Sequence, residues 1–210
     1  MQPEALRACL AAAGVELPVA ACVRLAAYVE LLMRWNRAYN LTAARTEEAL
    51  VERHLLDSLV IRGYLQPGTL LDVGSGAGLP GLALALAEPE RPVTLLDCNG
   101  KKTRFLRQCC SEFGLSQVRV QQARMEGLAV ETGYAVVTAR AVAALSELLP
   151  ATRHLLAPGG VLLALKGERV AEELQALPTQ EAAALEVHEL PKAAGRGRAQ
   201  LVVYRAPVQR

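Results

Sequence analysis

No apolar run in this chain approaches the length of about 18 residues that a membrane-spanning helix requires. The N-terminus also lacks a basic start followed by an apolar stretch, since Glu4 and Arg7 come early, and this excludes a typical secretory signal peptide. We therefore expect a soluble, cytoplasmic protein that has no membrane partner.

The five cysteines form neither a metal-binding nor a disulfide pattern. Their number is odd, no Cys-x-x-Cys spacing occurs, and Cys109 and Cys110 are adjacent. We therefore predict reduced cysteines that act as small apolar side chains, and we expect no bound metal.

The composition points to a folded chain with two local concentrations of positive charge. Apolar residues make up 52% of the 210 positions, which excludes a disordered protein and allows a sizeable core. The net charge is only +2, yet residues 100–124 and residues 191–210 each carry +5. Such blocks suit a polyanionic partner, although on charge alone a solvated helix face and tail are the better explanation.

The sequence pattern changes near residue 67. Residues 1–66 predict a helical N-terminal extension, whose third helix runs from Thr46 to about Arg62 and ends at Gly63. Residues 67–210 alternate short apolar runs with helix-length segments, which predicts one α/β domain with a parallel sheet covered on both faces. The predicted parallel strands are Leu70–Val73, Val93–Asp97, Gln117–Gln121, Tyr134–Ala139 and Gly160–Lys166. Near the C-terminus, "ALEVHELP" and "AQLVVYRA" predict a closing antiparallel hairpin.

The segment "LLDVGSGAGLPG" (70–81) joins a short strand to a helix through three alternating glycines. Glycine permits positive φ and lets a ligand approach the backbone, and a helix N-terminus offers free N–H groups. Pro80 fits the first helical turn, because its missing donor costs nothing there. This context predicts a site for a nucleotide-like cofactor.

Two cofactor classes compete for this loop. A dinucleotide fold requires G-x-G-x-x-G directly after the strand, but Leu79 stands where its last glycine would fall. The D-x-G-x-G-x-G pattern of S-adenosylmethionine-dependent methyltransferases is matched at Asp72, Gly74, Gly76 and Gly78. We expect Asp72 to face the cationic amino-acid end of that cofactor. The spacing of the glycines relative to the end of the strand also favours the methyl donor.

Further candidate cofactor residues follow the next two predicted strands. Asp97 ends the second strand, where a carboxylate accepts hydrogen bonds from ribose hydroxyls in both cofactor classes. Met125 and Glu126 follow the third strand, where Met125 would contact adenine and Glu126 would accept a hydrogen bond. A surface loop explains these two residues nearly as well.

Six segments are distinctive in their order and spacing: "RWNRAYNLTA", "ERHLLDSL", "LLDVGSGAGLPG", "LLDCNGKKTRFL", "TARAVAAL" and "LLAPGGVLLALKG". From about Leu31 to Lys166 they resemble the RsmG (GidB) family of small-subunit ribosomal RNA guanine-N7 methyltransferases. The resemblance implies a class I S-adenosylmethionine-dependent methyltransferase fold, which is Rossmann-like with a closing antiparallel hairpin. It also implies methyl transfer from S-adenosylmethionine to N7 of a guanine in the 530 loop of 16S ribosomal RNA, with the small ribosomal subunit as partner.

The resemblance assigns cofactor binding to Gly74, Gly76, Gly78, Leu79, Asp97, Met125, Glu126 and Arg140, and the glycine pattern adds Asp72. Leu79 stands where the family usually has Phe, and "ARME" replaces the usual "RAE" around Met125. Arg140 follows the fourth predicted strand and is the candidate for a further role, guiding guanine or phosphate.

Methyl transfer to guanine N7 requires no general base, because N7 has an exposed lone pair and no proton to lose. This agrees with the lack of any Ser/His/Asp or Cys/His motif, and we assign His54 a structural role. The predicted RNA-facing residues are Lys101, Lys102, Arg104, Lys166, Arg196 and Arg198. A solvated first helical turn explains Lys101 and Lys102 about as well. We expect a monomer.

Two other interpretations stay open. The methyl acceptor could be a small molecule or a protein, with the helical extension acting as a lid over it. The chain could instead bind a nucleotide or RNA without catalysis. Preferential binding of NAD over S-adenosylmethionine would contradict the favoured interpretation.

Overall fold

The first 64 residues form helices because apolar side chains recur at helical spacing without a strand-forming run. The computed structural model describes residues 1–191 and 199–208. Its N-terminal helices are α1 (Pro3–Ala12), α2 (Val19–Tyr39), α3 (Glu47–Leu50) and α4 (Leu56–Val60), with a π-turn at Val51–Leu55 and a 3₁₀ turn at Ile61–Tyr64.

The third predicted helix is an irregular segment. Thr46 caps it as expected, since its hydroxyl accepts a hydrogen bond from Ala49 N–H at 3.2 Å. The backbone then widens into the π-turn, a feature that often occurs at functional sites. Gly63 lies inside the 3₁₀ turn, so it does not end the helix as predicted.

A seven-stranded sheet is the centre of the remaining described chain, in the order β3-β2-β1-β4-β5-β7-β6. The strands are β1 (Leu70–Val73), β2 (Val93–Leu96), β3 (Val118–Gln121), β4 (Tyr134–Arg140), β5 (Leu156–Lys166), β6 (Leu185–Glu189) and β7 (Gln200–Arg205). Strands β1 to β5 are parallel, and β7 runs antiparallel between β5 and β6. The predicted Rossmann-like sheet with a closing antiparallel hairpin is therefore confirmed.

Helices connect most of these strands. They are α5 (Gly81–Ala87), α6 (Gly100–Glu112), α7 (Leu145–Arg153), α8 (Val170–Gln175) and α9 (Thr179–Ala182), with a 3₁₀ turn at Met125–Gly127. Strand β5 begins at Leu156, earlier than the predicted Gly160, and its pairing with β4 shifts register between Tyr134 and Val136. A Cβ at Gly160 would lie 2.7 Å from the Tyr134 carbonyl oxygen, so glycine lets the two strands approach there.

Side chains alternate between two cores on opposite faces of the sheet. Leu70 belongs to the core shared with α5, α6 and the N-terminal helices, whereas Leu71 belongs to the core under α7 and α8. The N-terminal helices therefore form an outer layer against α5 and α6. The division into an extension (1–66) and a domain (67–210) stays a prediction.

Candidate functional site

The sheet order places the candidate site at the carboxyl ends of β1 and β4. These strands are neighbours, but β1 leads to α5 on one face and β4 leads to α7 on the other, so their loops diverge and leave a crevice. A cavity of about 370 Å³ lies there, between the loops that follow the first four strands. Four predicted cofactor residues line it: Gly74, Asp97, Met125 and Glu126.

Three glycines shape the loop after β1. Gly74, Gly76 and Gly78 have φ angles of 66°, 58° and 99°, a backbone conformation that favours glycine. A Cβ at Gly74 would lie 2.7 Å from Val142 Cγ2, and a Cβ at Gly78 would lie 2.8 Å from Leu82 Cβ, so neither site has room for a side chain. Gly74 lines the cavity, whereas the other two glycines set the course of the loop beside it.

The residues between this loop and α5 lie in different places from those predicted. Helix α5 begins at Gly81, so Pro80 precedes the helix and is not part of its first turn. Leu79 is buried in the core and is not among the residues that line the cavity. The Gly81 N–H is not free, because it donates to Asp72 Oδ2 at 3.1 Å.

Asp72 lies beneath the glycine loop and does not line the cavity. Its side chain is fully buried, and Oδ1 accepts a hydrogen bond from the Thr138 hydroxyl at 2.7 Å. Burial raises the pKa of Asp72 from 3.8 to about 6, although the hydrogen bonds from Thr138 and Gly81 act in the opposite direction. The predicted cofactor-facing position is thus replaced by a structural one, in which the carboxylate ties β1 to β4 and to the start of α5.

Asp97 follows β2 directly and presents its carboxylate to the cavity. Oδ2 accepts from the Gly76 N–H at 2.8 Å, and Oδ1 accepts from the Asn99 N–H at 2.8 Å. Lys102 Nζ lies 3.8 Å from Oδ2. Each carboxylate oxygen has a second lone pair, so Asp97 can accept further hydrogen bonds from a ligand.

The far side of this cavity is built after β3. Met125 and Glu126 lie in the 3₁₀ turn and line the cavity. Arg124 and Cys98 also line it, although the sequence analysis did not select either as a cofactor contact. Their positions directly after predicted strands, at the carboxyl edge of the sheet, are the signal that could have identified them.

A second cavity of about 880 Å³ adjoins the first. Arg140 lines this larger cavity and is not among the residues that line the smaller one. Arg140 Nη1 lies 2.8 Å from His54 Nδ1, and because a guanidinium can only donate, Nδ1 accepts this hydrogen bond. His54 thus connects the π-turn of the N-terminal helices to the end of β4.

The larger cavity contains charged residues that sequence reasoning missed: Arg53, Asp57, Glu168, Arg169 and Glu173. Arg53 comes from the π-turn, and Asp57, which is buried, comes from α4. Both belong to the distinctive segment "ERHLLDSL", which was the available signal. Residues Ala141–Ala143 line both cavities, so the two cavities meet at this segment.

The predicted RNA-facing residues fall into three groups. Lys101 and Arg104 are exposed near the start of α6, and Lys102 is partly buried beside Asp97. Lys166 is turned into the protein, because Nζ donates to the Ala143 carbonyl at 2.6 Å and to Glu173 Oε2 at 2.7 Å. Lys166 thus forms a partly buried ion pair with Glu173 at the edge of the larger cavity, and its contact with RNA stays a prediction. Two further residues lie outside the described part of the chain: Arg196 and Arg198.

Within residues 1–191 and 199–208, no group of three or more histidine, cysteine, aspartate or glutamate side chains is arranged to hold a metal ion. No helix in the same ranges is long and apolar enough to cross a membrane. The five cysteines are free thiols.

Comparisons with known proteins agree with this geometry. Residues 21–202 match the model of the GidB family, described as rRNA small subunit methyltransferase G. The chain is 65% identical over 194 residues to the ribosomal RNA small subunit methyltransferase G of Halorhodospira halophila, covering 92% of both chains. It is 52% identical over 165 residues to the protein of that name from Alkalilimnicola ehrlichii, covering 79% of this chain and 75% of that one.

Solved structures of other methyltransferases share the fold. A methyltransferase from Geobacter sulfurreducens aligns with a TM-score of 0.59 at 18% identity, covering 85% of this chain and 88% of that one. A SAM-dependent O-methyltransferase from Thermotoga maritima aligns with a TM-score of 0.53 at 18% identity, covering 73% of this chain and 66% of that one. At these identities the likeness concerns the fold alone.

Proposed function

The chain belongs to the GidB family, rRNA small subunit methyltransferase G, and from this premise we propose that it methylates N7 of a guanine in the 530 loop of 16S ribosomal RNA. S-adenosylmethionine is the methyl donor. The observation that supports this most strongly is the pair of adjoining cavities at the carboxyl edge of the sheet, which provides separate spaces for a cofactor and an acceptor.

The smaller cavity suits S-adenosylmethionine. Asp97 can accept hydrogen bonds from ribose hydroxyls, and Met125 offers an apolar surface to adenine. Gly74 has no side chain, so the loop backbone can approach the cofactor at that point. When bound, the cofactor supplies an electrophilic methyl group. The predicted residues that do not line the cavity act indirectly, by holding the loop: Asp72, Gly76, Gly78 and Leu79.

The larger cavity suits the nucleotide that accepts the methyl group. Arg53 and Arg140 provide positive charge for a phosphate or a base edge, and Asp57 provides a hydrogen-bond acceptor. N7 has no proton to lose, so these residues orient the acceptor and none serves as a general base. Catalysis then comes from proximity and alignment, with Arg140 as the residue that guides the guanine.

Ribosomal RNA reaches this cavity along a basic surface. The exposed cations Lys101 and Arg104 on α6 lie next to the loop that carries Asp97. We assign three further residues to this surface: Lys102 and, outside the described residues, Arg196 and Arg198. The acceptor is the small ribosomal subunit, which the chain meets in the cytoplasm as a monomer.

Two measurements with the purified chain test this proposal. Isothermal titration should detect binding of S-adenosylmethionine and not of NAD, and preference for NAD would contradict the cofactor assignment. Small subunits from cells that lack the chain should then accept labelled methyl groups from S-adenosylmethionine. Mapping of the label to a base outside the 530 loop, or to ribosomal protein, would contradict the acceptor assignment.

A further inference from the structure

Residues Ala141–Ala143 line both cavities, and we call this segment the shared wall. It lies between β4 and α7 and is neither strand nor helix. Ala141 has a φ of 54°, a left-handed conformation that is unfavourable for a residue with a side chain. Neighbouring groups must therefore hold it in place. Val142 packs on the glycine loop, since its Cγ2 lies 2.7 Å from the place a Cβ on Gly74 would take.

A partly buried ion pair holds the end of this wall in place. Lys166 Nζ donates to the Ala143 carbonyl at 2.6 Å and to Glu173 Oε2 at 2.7 Å. The same Glu173 oxygen accepts from the Leu145 N–H at 2.8 Å. The pair therefore holds the backbone on both sides of Ala144, at the start of α7. Ala144 is the N-cap residue of this helix, and its side chain makes no capping hydrogen bond.

The exposure of the two side chains fits a structural grip better than an RNA contact. The Lys166 side chain is 9% exposed and that of Glu173 is 23% exposed. Lys166 already uses two of its three N–H donors on internal acceptors, and these two contacts fix the direction of its side chain. The first contact connects β5 to Ala143 of the shared wall, and the second connects β5 to α8.

We propose that Lys166 and Glu173 are positioning residues for methyl transfer: their ion pair fixes the shared wall, which aligns the acceptor base with the methyl donor. This inference rests on the proposed function, because it assigns one cavity to the donor and the other to the acceptor. The path runs from Lys166 and Glu173 through Ala143 and Val142 to the glycine loop.

The test compares Glu173→Gln, Lys166→Met and the double variant Lys166→Met/Glu173→Met, which leaves no unpaired charge buried. The matched control is Glu172→Gln, an exposed carboxylate on the same helix. For each protein, kcat and KM are measured with small subunits at saturating S-adenosylmethionine. Cofactor binding is measured by isothermal titration, and folding is followed by thermal unfolding.

We expect kcat to fall by about 10- to 100-fold in both single variants, because small errors in alignment are costly, while KM for the subunit stays within about threefold. The double variant should fall no further than the worse single variant, since both residues act through one contact. Glu172→Gln should match the wild type, and all variants should still bind S-adenosylmethionine.

Provided that the wild-type chain methylates RNA, three results would overturn this inference. One is that Lys166→Met raises KM without changing kcat, while Glu173→Gln keeps full activity. This result would mean that Lys166 contacts RNA directly. Another is a loss of kcat that follows the fraction of unfolded protein. The third is equal activity of all variants. A wild-type chain that binds S-adenosylmethionine but methylates no RNA would instead contradict the proposed function, and with it this inference.

Discussion

At the scale of single residues, the two carboxylates around the glycine loop have different surroundings. Both are buried, but Asp72 accepts hydrogen bonds from Gly81 and Thr138 beneath the loop, whereas Asp97 lines the cavity. The D-x-G-x-G-x-G pattern identifies both the loop and its acidic residue, but it does not reveal which way the carboxylate points. That direction depends on Thr138 of β4, which is distant in the sequence.

The buried position of Asp72 predicts a pH dependence of stability. Its pKa is raised to about 6 in the folded chain. Between pH 4 and 6 the folded state therefore keeps this proton, whereas the unfolded state has already lost it. The free energy of unfolding of the wild type, relative to Asp72→Asn, should therefore fall as pH rises and level off above about pH 6. The expected fall is about 2 to 3 kcal/mol, measured by urea unfolding of both proteins from pH 4 to 7. A difference that stays constant over this range would contradict the assignment.

Lys166 illustrates what a single sequence cannot reveal at this scale. Its place at the carboxyl end of β5 follows from the strand pattern, and an unpaired lysine there would suit RNA. The ion pair with Glu173 depends on how the chain turns into α8. Arg53 and Asp57 were missed for a similar reason, because the irregular π-turn breaks the helical periodicity by which side chains are assigned to a face.

At the scale of elements, α2 holds the glycine loop from the side of the N-terminal helices. The hydroxyl of Tyr28, which is fully buried, donates to the Ala77 carbonyl at 2.7 Å. Arg24 on the same helix donates to the Leu86 carbonyl at the end of α5 through Nε and Nη2, at 3.1 and 3.0 Å. The helical extension is therefore part of the support for the cofactor cavity.

Removal of the Tyr28 hydroxyl should weaken this support. Tyr28→Phe leaves the buried Ala77 carbonyl without its partner, so we expect a loss of about 1 to 3 kcal/mol in the free energy of unfolding and weaker binding of S-adenosylmethionine. Urea unfolding and isothermal titration measure the two effects. Tyr39→Phe, an exposed tyrosine on the same helix, is the control and should change neither. Equal behaviour of both variants would show that the loop does not depend on α2.

The start of α6 is the described element that we assign to RNA. Lys101→Gln removes one exposed cation, so the affinity for ribosomal RNA should fall and its dependence on salt should become shallower by roughly 0.7 to 0.9 in the logarithmic slope. Gln108 is exposed farther along the same helix, and Gln108→Glu lowers the net charge by the same amount as Lys101→Gln. This control should leave the slope unchanged. Filter binding at several salt concentrations checks this, and identical slopes for Lys101→Gln and the wild type would remove α6 from the RNA surface.

Most elements were predictable because their signals are local. The five parallel strands follow from short apolar runs such as Leu70–Val73, and the hairpin follows from two such runs without a helix between them. The start of β5 was placed too late, because Pro158 and the following glycines indicate a turn, while the pairing of Gly160 against Tyr134 is a tertiary contact. Gly63 was also misassigned, since it lies within the 3₁₀ turn that begins at the buried Ile61.

At the scale of the whole molecule, the topology brings the site together. The crevice between β1 and β4 follows from the strand order, and the residues around it come from segments as distant as the π-turn and β5. The N-terminal helices share one core with the sheet and contribute Arg53 and Asp57 to the larger cavity. In the proposed function, cofactor support and acceptor binding therefore use both the N-terminal helices and the sheet.

The central claim is that this chain methylates N7 of a guanine in the 530 loop of 16S ribosomal RNA. Mass spectrometry of 16S RNA from cells that lack the chain, compared with cells in which it is restored, tests this claim most directly. The account predicts that 7-methylguanosine is absent from the 530 loop without the chain and returns when the chain is restored. Persistence of 7-methylguanosine at that loop in cells that lack the chain would contradict it.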